Sequence, residues 1–208
     1  MVVIFTDLDG SLLHRDTFKF DSIKDYIKSL INNGIIIIPN SSKTEVEIEK
    51  FNEELGIELP FISENGSLIQ GLNLINRNFP NKIILSRQKE ELIKIFDTKV
   101  PEEIRNKCFL ISKMDKKKQE EIFGQKGEQL KNVLKRNYTL PFLFNGEKTE
   151  KNRLLKILNS NSLTLQEGGR VSNLCDNVNK IKSMKRVVKI IKKTEEKIKT
   201  ITVGDNYN

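Results

Sequence analysis

Residues 35–38 are four consecutive isoleucines, followed by Pro39 and the polar turn Asn40-Ser41-Ser42. Successive side chains of a strand point to opposite faces, so a strand that is apolar at every position has to be covered on both. That requirement selects a parallel sheet between helical layers over an antiparallel sheet with one wet face. The flanking sequence agrees. Val2–Thr6 is a second β-branched and aromatic run, ended by Asp7-Leu8-Asp9-Gly10. Between the two runs, Ile23, Tyr26, Ile27 and Leu30 form the i, i+3, i+4, i+7 stripe of an amphipathic helix, which Asn32-Asn33-Gly34 stops. A further helix is expected from about Lys43 to Leu55. Phe61–Ser63 and Leu68–Gln70 flank Glu64-Asn65-Gly66 as a hairpin. The first seventy residues therefore read β-α-β-α-β-β.

From about Gly71 to Asp176 the pattern changes. Short strand candidates (82–85, 108–111, 141–144, 163–166, 170–175) mix with helical stretches (88–96, 117–123, 128–135, 150–158) between Gly, Asn and Pro turns. The chain then returns to a basic helix, Lys180 to Lys193, an apolar strand, Lys199–Val203, and Gly204-Asp205-Asn206-Tyr207-Asn208. The expected architecture is α/β: a Rossmann-like parallel-sheet core built from 1–75 and 177–208, carrying an inserted α+β module over 76–176.

Right-handed crossovers bring the loops that follow parallel strands to one sheet edge, where open α/β sheets bind their ligands. Asp7-Leu8-Asp9, Ser41 and Gly204-Asp205 all follow predicted strands, and Lys180 starts a predicted helix. Asp7, Asp9 and Asp205 would form an oxygen-rich cluster suited to Mg²⁺, a hard cation that also binds phosphate oxygens. Ser41, at a helix start, offers a hydroxyl and backbone N–H groups to an anion. Lys180, or another lysine on its helix, would neutralise charge on a transferring phosphoryl group. These parts fit phosphoryl transfer, with Asp7 as the nucleophile and Asp9 as the acid and then the base. The blander readings are that Asp7 and Asp9 are turn and N-cap formers, and that Ser41 caps the helix after it.

The stretch Phe5-Thr6-Asp7-Leu8-Asp9-Gly10-Ser11-Leu12-Leu13 resembles the first motif of the haloacid dehalogenase-like (HAD) phosphatases. Ser41, Lys180 and Gly204-Asp205-Asn206-Tyr207-Asn208 resemble the second, third and fourth motifs, in the family's order. Within the family, Ser41-Ser42-Lys43-Thr44 with Glu47, Phe61-Ile62-Ser63-Glu64-Asn65-Gly66 and Gly168-Gly169-Arg170 are similar to segments of the mannosyl-3-phosphoglycerate phosphatases. The resemblance implies an Mg²⁺-dependent phosphatase of a glycosyl-3-phosphoglycerate, mannosyl most of all, with the inserted module as its cap. It implies substrate contacts at Ser42, Lys43 and Arg170, the guanidinium fork of Arg170 matching a carboxylate. Glucosyl-3-phosphoglycerate and sucrose phosphate are the alternative substrates. The sequence departs from the pattern in three places: Leu140 stands where the group's cap has an acid, Ile181 follows Lys180 where glycine is usual, and the fourth motif breaks off at Asn208. The last predicts a C-terminally truncated chain, and keeps open an inactive binding module.

Composition excludes other classes. The net charge is +8, but aromatics are only 7%, there is no tryptophan, and aromatics do not interleave with the lysine runs as a nucleic-acid surface requires. No run approaches the ~18–20 apolar residues of a membrane span. Cys108 and Cys175 are far apart and His14 is the single histidine, which argues against a disulfide framework or zinc site and for a reducing cytoplasm. A phosphorylated small molecule is the partner expected, with neither nucleic acid nor membrane; the oligomeric state is not legible.

Overall fold

A computed structural model describes residues 1–168 and 170–204. They fall into two compact units: Met1–Leu85 together with the chain from Asn179 onward, and Ser86–Val178.

The first unit is built on a parallel sheet. Strand β1 (Val2–Thr6) lies between β2 (Ile35–Pro39) and β10 (Lys199–Val203), with Thr6 in register with both Pro39 and Val203. The three strands therefore end level, and the residues after them share one edge. Alternation along β2 explains its four isoleucines. Ile36 and Ile38 face a cluster with Val3, Phe5, Val187, Ile190 and Ile191. Ile35 and Ile37 face the opposite cluster, with Ile27, Ile48, Phe51 and Leu55. Helix α8 (Lys180–Ile191) thus covers one side, and α1 (Asp21–Asn32) and α2 (Glu45–Leu55) the other. Burying an isoleucine fully contributes about 1.5–3 kcal/mol, which fixes the strand's register against slippage.

Beyond β2, strands β3 (Phe61–Ser63), β4 (Leu68–Gln70) and β5 (Lys82–Ile84) form an antiparallel sheet. Residues 76–85, which the sequence pattern assigned to the inserted module, belong here, because β5 completes the hairpin sheet through β4. Helix α2 starts two residues later than the apolar stripe suggested. Thr44 is its N-cap in a reciprocal capping box with Glu47, so Ser41 lies ahead of the cap and does not form it.

The second unit has its own core. Strands β6 (Cys108–Leu110), β7 (Thr139–Phe144), β8 (Leu163–Glu167) and β9 (Ser172–Asp176) form a four-stranded antiparallel sheet in the order β6-β7-β9-β8. Leu92 and Phe96 of α3 (Lys89–Lys99) and Leu154 and Leu158 of α7 (Lys148–Ser160) pack on one face against Leu140, Phe142, Leu163 and Leu174. The short helix α4 (Glu102–Arg105), opened by Pro101, has no counterpart in the sequence reading. Ile111, Phe123, Leu130 and Val133 form a satellite cluster with α5 (Lys116–Phe123) and α6 (Gly127–Leu134). Strand β9 begins at Ser172, so Arg170 precedes it.

Arg87 and Asp176 join the unit's two chain ends. The Asp176 carboxylate accepts from Arg87 Nη2 at 2.7 Å, from Nε at 2.9 Å and from the Arg87 backbone N–H at 2.9 Å. Burial pushes the Asp176 carboxyl up, but these hydrogen bonds outweigh it and hold the group below its ordinary value. A carboxyl depressed in the folded state stabilises the fold above its unfolded value, about 3.9, and loses that contribution as pH falls through the folded value. Asp176→Asn is therefore expected to cost about 1–2 kcal/mol at pH 7, with partial solvent screening included. In urea titrations its difference from wild type should shrink toward zero below pH 3. A difference independent of pH would show that shape rather than charge holds this joint.

Candidate functional site

The turn after β1 aims its two acids by anchoring the residues between and after them. Leu8 and Leu13 are buried in the core on the α1/α2 side of the sheet. The loop closes on itself: Leu13 N–H donates to the Leu8 carbonyl at 2.8 Å, and Gly10 N–H to the Leu13 carbonyl at 2.9 Å. Gly10 sits at φ 75°, the left-handed region that glycine enters without penalty. With the leucines inward, Asp7 and Asp9 face the edge where β1, β2 and β10 end.

Asp7 is held at both carboxylate oxygens. Its Oδ1 accepts the Leu8 N–H at 2.8 Å, and its Oδ2 lies 2.5 Å from Lys180 Nζ. Lys180 is the first residue of α8. Asn179 caps that helix by accepting the Lys182 N–H at 2.8 Å, which selects Lys180 from the lysines of the helix. Asn40, directly after β2 and 4% exposed, donates from Nδ2 to the Lys180 carbonyl at 3.3 Å and so ties this helix start to the strand edge.

Asp9 pairs with the other lysine of the site. Lys43 Nζ is 3.0 Å from Asp9 Oδ1 and 3.3 Å from Glu47 Oε1, and lies 4.8 Å from the centre of the Phe18 ring. Burial pushes the Asp9 carboxyl above its ordinary value, against the opposing pull of Lys43. Burial alone would lower Lys43, but Glu47 and Asp9 overcome it and hold the ammonium above its ordinary value, so it is charged at neutral pH.

Ser41 is fully buried in the turn after β2. Its hydroxyl accepts the Lys43 N–H at 3.3 Å, which leaves its own O–H as a donor to an anion. The same turn is braced by the Glu64-Asn65-Gly66 segment: Asn65 N–H donates to the Ser41 carbonyl at 3.0 Å, and Glu64 N–H to the Lys43 carbonyl at 2.9 Å. All three bracing residues have positive φ, 44°, 60° and 100°. Such strain persists only where its surroundings enforce it, and it lies beside functional turns more than elsewhere. Gly66 also meets α8: a Cβ there would sit 2.5 Å from the Asn179 carbonyl oxygen, and Ser183 Oγ donates to the Gly66 carbonyl at 2.6 Å.

Of the residues singled out from sequence, Asp7, Asp9, Ser41, Ser42, Lys43 and Lys180 thus lie in the first unit, on the loops after β1 and β2 and the start of α8. Ser42 is half-buried in the Ser41 turn. Arg170 is in the second unit, where its Nη1 donates to the Phe123 carbonyl. Asp205 lies outside the described residues. Asn40 and Asn179 were not singled out; an N-cap asparagine before a lysine-rich helix was the available signal for Asn179, and nothing local marks Asn40.

Chemically, Asp7, Asp9 and Glu47 against Lys43 and Lys180 leave one net negative charge when Asp9 is ionised and none when it is protonated. Beside the two lysine ammoniums, the groups here that could ligate a metal are carboxylate oxygens. His14 accepts from the Asp16 and Thr17 N–H groups, and burial pushes the Cys108 and Cys175 thiols up to about 12, so no thiolate competes. This set suits a hard divalent cation. Among the described residues no group of three or more acids, histidines or cysteines is placed to hold one, the third expected ligand being Asp205. No helix among the described residues is long and apolar enough to cross a membrane.

A family model described as haloacid dehalogenase-like hydrolase matches residues 4–208. A glucosyl-3-phosphoglycerate/mannosyl-3-phosphoglycerate phosphatase of Persephonella marina is 30% identical over 221 residues, covering 100% of this chain and 79% of that protein. A mannosyl-3-phosphoglycerate phosphatase of Pyrococcus horikoshii is 46% identical over 67 residues, 32% of this chain and 27% of its own. Among solved structures, a haloacid dehalogenase-like hydrolase from B. subtilis superposes with a TM-score of 0.67 at 16% identity, over 99% of this chain and 84% of that one.

Proposed function

The chain belongs to the haloacid dehalogenase-like hydrolase family and is a phosphoric monoester hydrolase, and we propose that it removes phosphate from a glycosyl-3-phosphoglycerate, the mannosyl compound first, through an aspartyl-phosphate on Asp7. The observation that carries the chemistry is the pairing of Asp7 with Lys180, at 2.5 Å on a shared sheet edge, beside a second aspartate whose carboxyl burial pushes upward. The match to the P. marina phosphatase over the whole of this chain supports the substrate.

In the first step an Asp7 carboxylate oxygen bonds to phosphorus as the bond from phosphorus to the ester oxygen breaks. Asp9, protonated, hands its proton to that departing oxygen and releases the alcohol. In the second, water attacks the phosphorus of the aspartyl-phosphate while Asp9 takes the water's proton. Asp7 is regenerated as a carboxylate and inorganic phosphate leaves. An upward shift suits Asp9 to this double duty, because the group has to be an acid in one half and a base in the other. Lys180 pairs with the Asp7 carboxylate and offsets the charge on the transferring group, and the Ser41 hydroxyl donates to a phosphate oxygen.

Mg²⁺ would be held by Asp7, Asp9 and Asp205, Asp9 through an oxygen other than the one that moves the proton, and it would supply screening between nucleophile and phosphate. Two unit charges of like sign ~4 Å apart repel by about 4 kcal/mol at an effective dielectric of 20, which is the repulsion between the Asp7 carboxylate and the phosphate that the cation would offset. Arg170 is proposed to contact the glycerate carboxylate, whose geometry a guanidinium matches, or the sugar. The protein would act in the cytoplasm.

A substrate panel tests the proposal. The kcat/KM for mannosyl-3-phosphoglycerate should exceed that for sucrose phosphate by at least about 100-fold, because a site that pairs a carboxylate discriminates strongly against a substrate lacking one. A preference for sucrose phosphate would move the protein to another sugar phosphatase.

A further inference from the structure

The family resemblance implies a substrate contact at Lys43; in the structure its ammonium is paired with two carboxylates. Lysine is almost never fully buried unless it is paired, and Lys43 is 7% exposed. Its Nζ bridges Asp9 Oδ1 at 3.0 Å and Glu47 Oε1 at 3.3 Å, with the Phe18 ring 4.8 Å away. Glu47 is itself fixed. Its Oε2 accepts the Thr44 N–H at 2.9 Å and the Thr44 hydroxyl at 3.1 Å, in the capping box of α2. A line of positioned groups therefore runs from the N-terminus of a helix anchored in the core, through Glu47 and Lys43, to one oxygen of Asp9.

We infer that Lys43 is a positioning residue for Asp9: held by Glu47, it fixes Asp9 Oδ1 and leaves Oδ2 as the oxygen that exchanges the proton with the leaving group. The inference rests on the proposed phosphatase chemistry and goes beyond it, because it gives Lys43 no contact with substrate. Asp9 stands two residues past the nucleophile on a short loop and is half-exposed, so its own backbone does not fix its rotamer. A carboxylate that is an acid in one step and a base in the next needs a single orientation in both, and a charged partner buried on its far side supplies it.

The consequence depends on the leaving group. An alkoxide needs Asp9's proton to depart, whereas p-nitrophenolate departs without it. Lys43→Met keeps the length of the side chain and removes its charge. The first-turnover rate on the glycosyl-3-phosphoglycerate that wild type cleaves fastest is expected to fall about 100-fold, the size of a lost general-acid contribution. The first-turnover release of p-nitrophenolate from p-nitrophenyl phosphate should stay within about fivefold of wild type, and slow hydrolysis of the aspartyl-phosphate should then appear as a burst. Because Lys43→Met leaves Glu47 buried without its cation, the double variant Lys43→Met/Glu47→Gln is measured alongside it and should show the same selectivity. Equal losses on both substrates in the double variant would place Lys43 on the phosphate or in the fold, and no loss on either would remove it from the mechanism; each result overturns the inference. Wild type that releases phosphate from none of these compounds would instead overturn the phosphatase reading on which the inference rests.

Discussion

Asp7→Asn is expected to lower phosphate release by at least about 10⁴-fold, because an amide is neither an anion nor a competent nucleophile and the reaction runs through a bond to this one group. The substitution is nearly isosteric. The carbonyl oxygen of asparagine can still accept the Leu8 N–H that Asp7 Oδ1 accepts at 2.8 Å, and the neighbouring Leu8 and Leu13 anchors are untouched. What is lost is the charge that faces Lys180 at 2.5 Å. That loss leaves a partly buried ammonium without its counter-charge and should cost about 1–3 kcal/mol in urea unfolding. Activity and stability therefore separate: a large loss of turnover with a modest loss of stability is expected. Residual turnover within tenfold of wild type would exclude a covalent role for Asp7.

Gly66→Ala should have the largest effect on the fold of any single methyl group added near the site. Gly66 sits at φ 100°, and an added Cβ would meet the Asn179 carbonyl oxygen at 2.5 Å, its carbon at 2.6 Å and Ser183 Oγ at 2.6 Å. Two of these are backbone atoms of the N-terminus of α8, so relief requires the helix start to move and Lys180 to move with it. A destabilisation of about 3–4 kcal/mol is expected, combining the backbone term with steric overlap. Gly34→Ala is the control. Gly34 has φ 77° with nothing within 4 Å of the added carbon, so it carries the conformational term alone, roughly 1 kcal/mol. Similar midpoints for the two variants in urea would show that α8 does not depend on the close approach.

These two residues also show what was legible in the sequence. Asp7 was readable because its signal is local: an apolar strand, two acids two residues apart and a glycine lie within nine residues. The same holds for the isoleucine run and its two-sided burial, and for Ser41, which follows that strand at once. Lys180 was readable less directly, since three further lysines and an arginine share α8; the Asn179 cap, which accepts the Lys182 N–H, decides among them. Gly66 drew attention only as a turn glycine in a hairpin. Its contact with Asn179 spans over a hundred residues, and no local pattern encodes such a distance. Asn40 is the same case, bonding to the Lys180 carbonyl 140 residues away. Lys43 was legible as a residue of the site and not as to its direction, because burial between Asp9 and Glu47 is a tertiary fact. The Thr44-Glu47 spacing, by contrast, was a readable capping-box signal, and using it would have placed the start of α2 correctly. The boundary at Leu85 was hidden because β5 is three residues long and largely exposed, and only its pairing with β4 assigns it.

The most direct test of the proposed chemistry is phosphate release from mannosyl-3-phosphoglycerate by the wild-type chain, with Mg²⁺ and after its removal by chelation, with Asp7→Asn as the zero. Release that needs the cation, returns when Mg²⁺ is restored and vanishes in Asp7→Asn is the expected result. Release that is equal with and without the cation, or that persists in Asp7→Asn, would contradict a metal-assisted attack by Asp7.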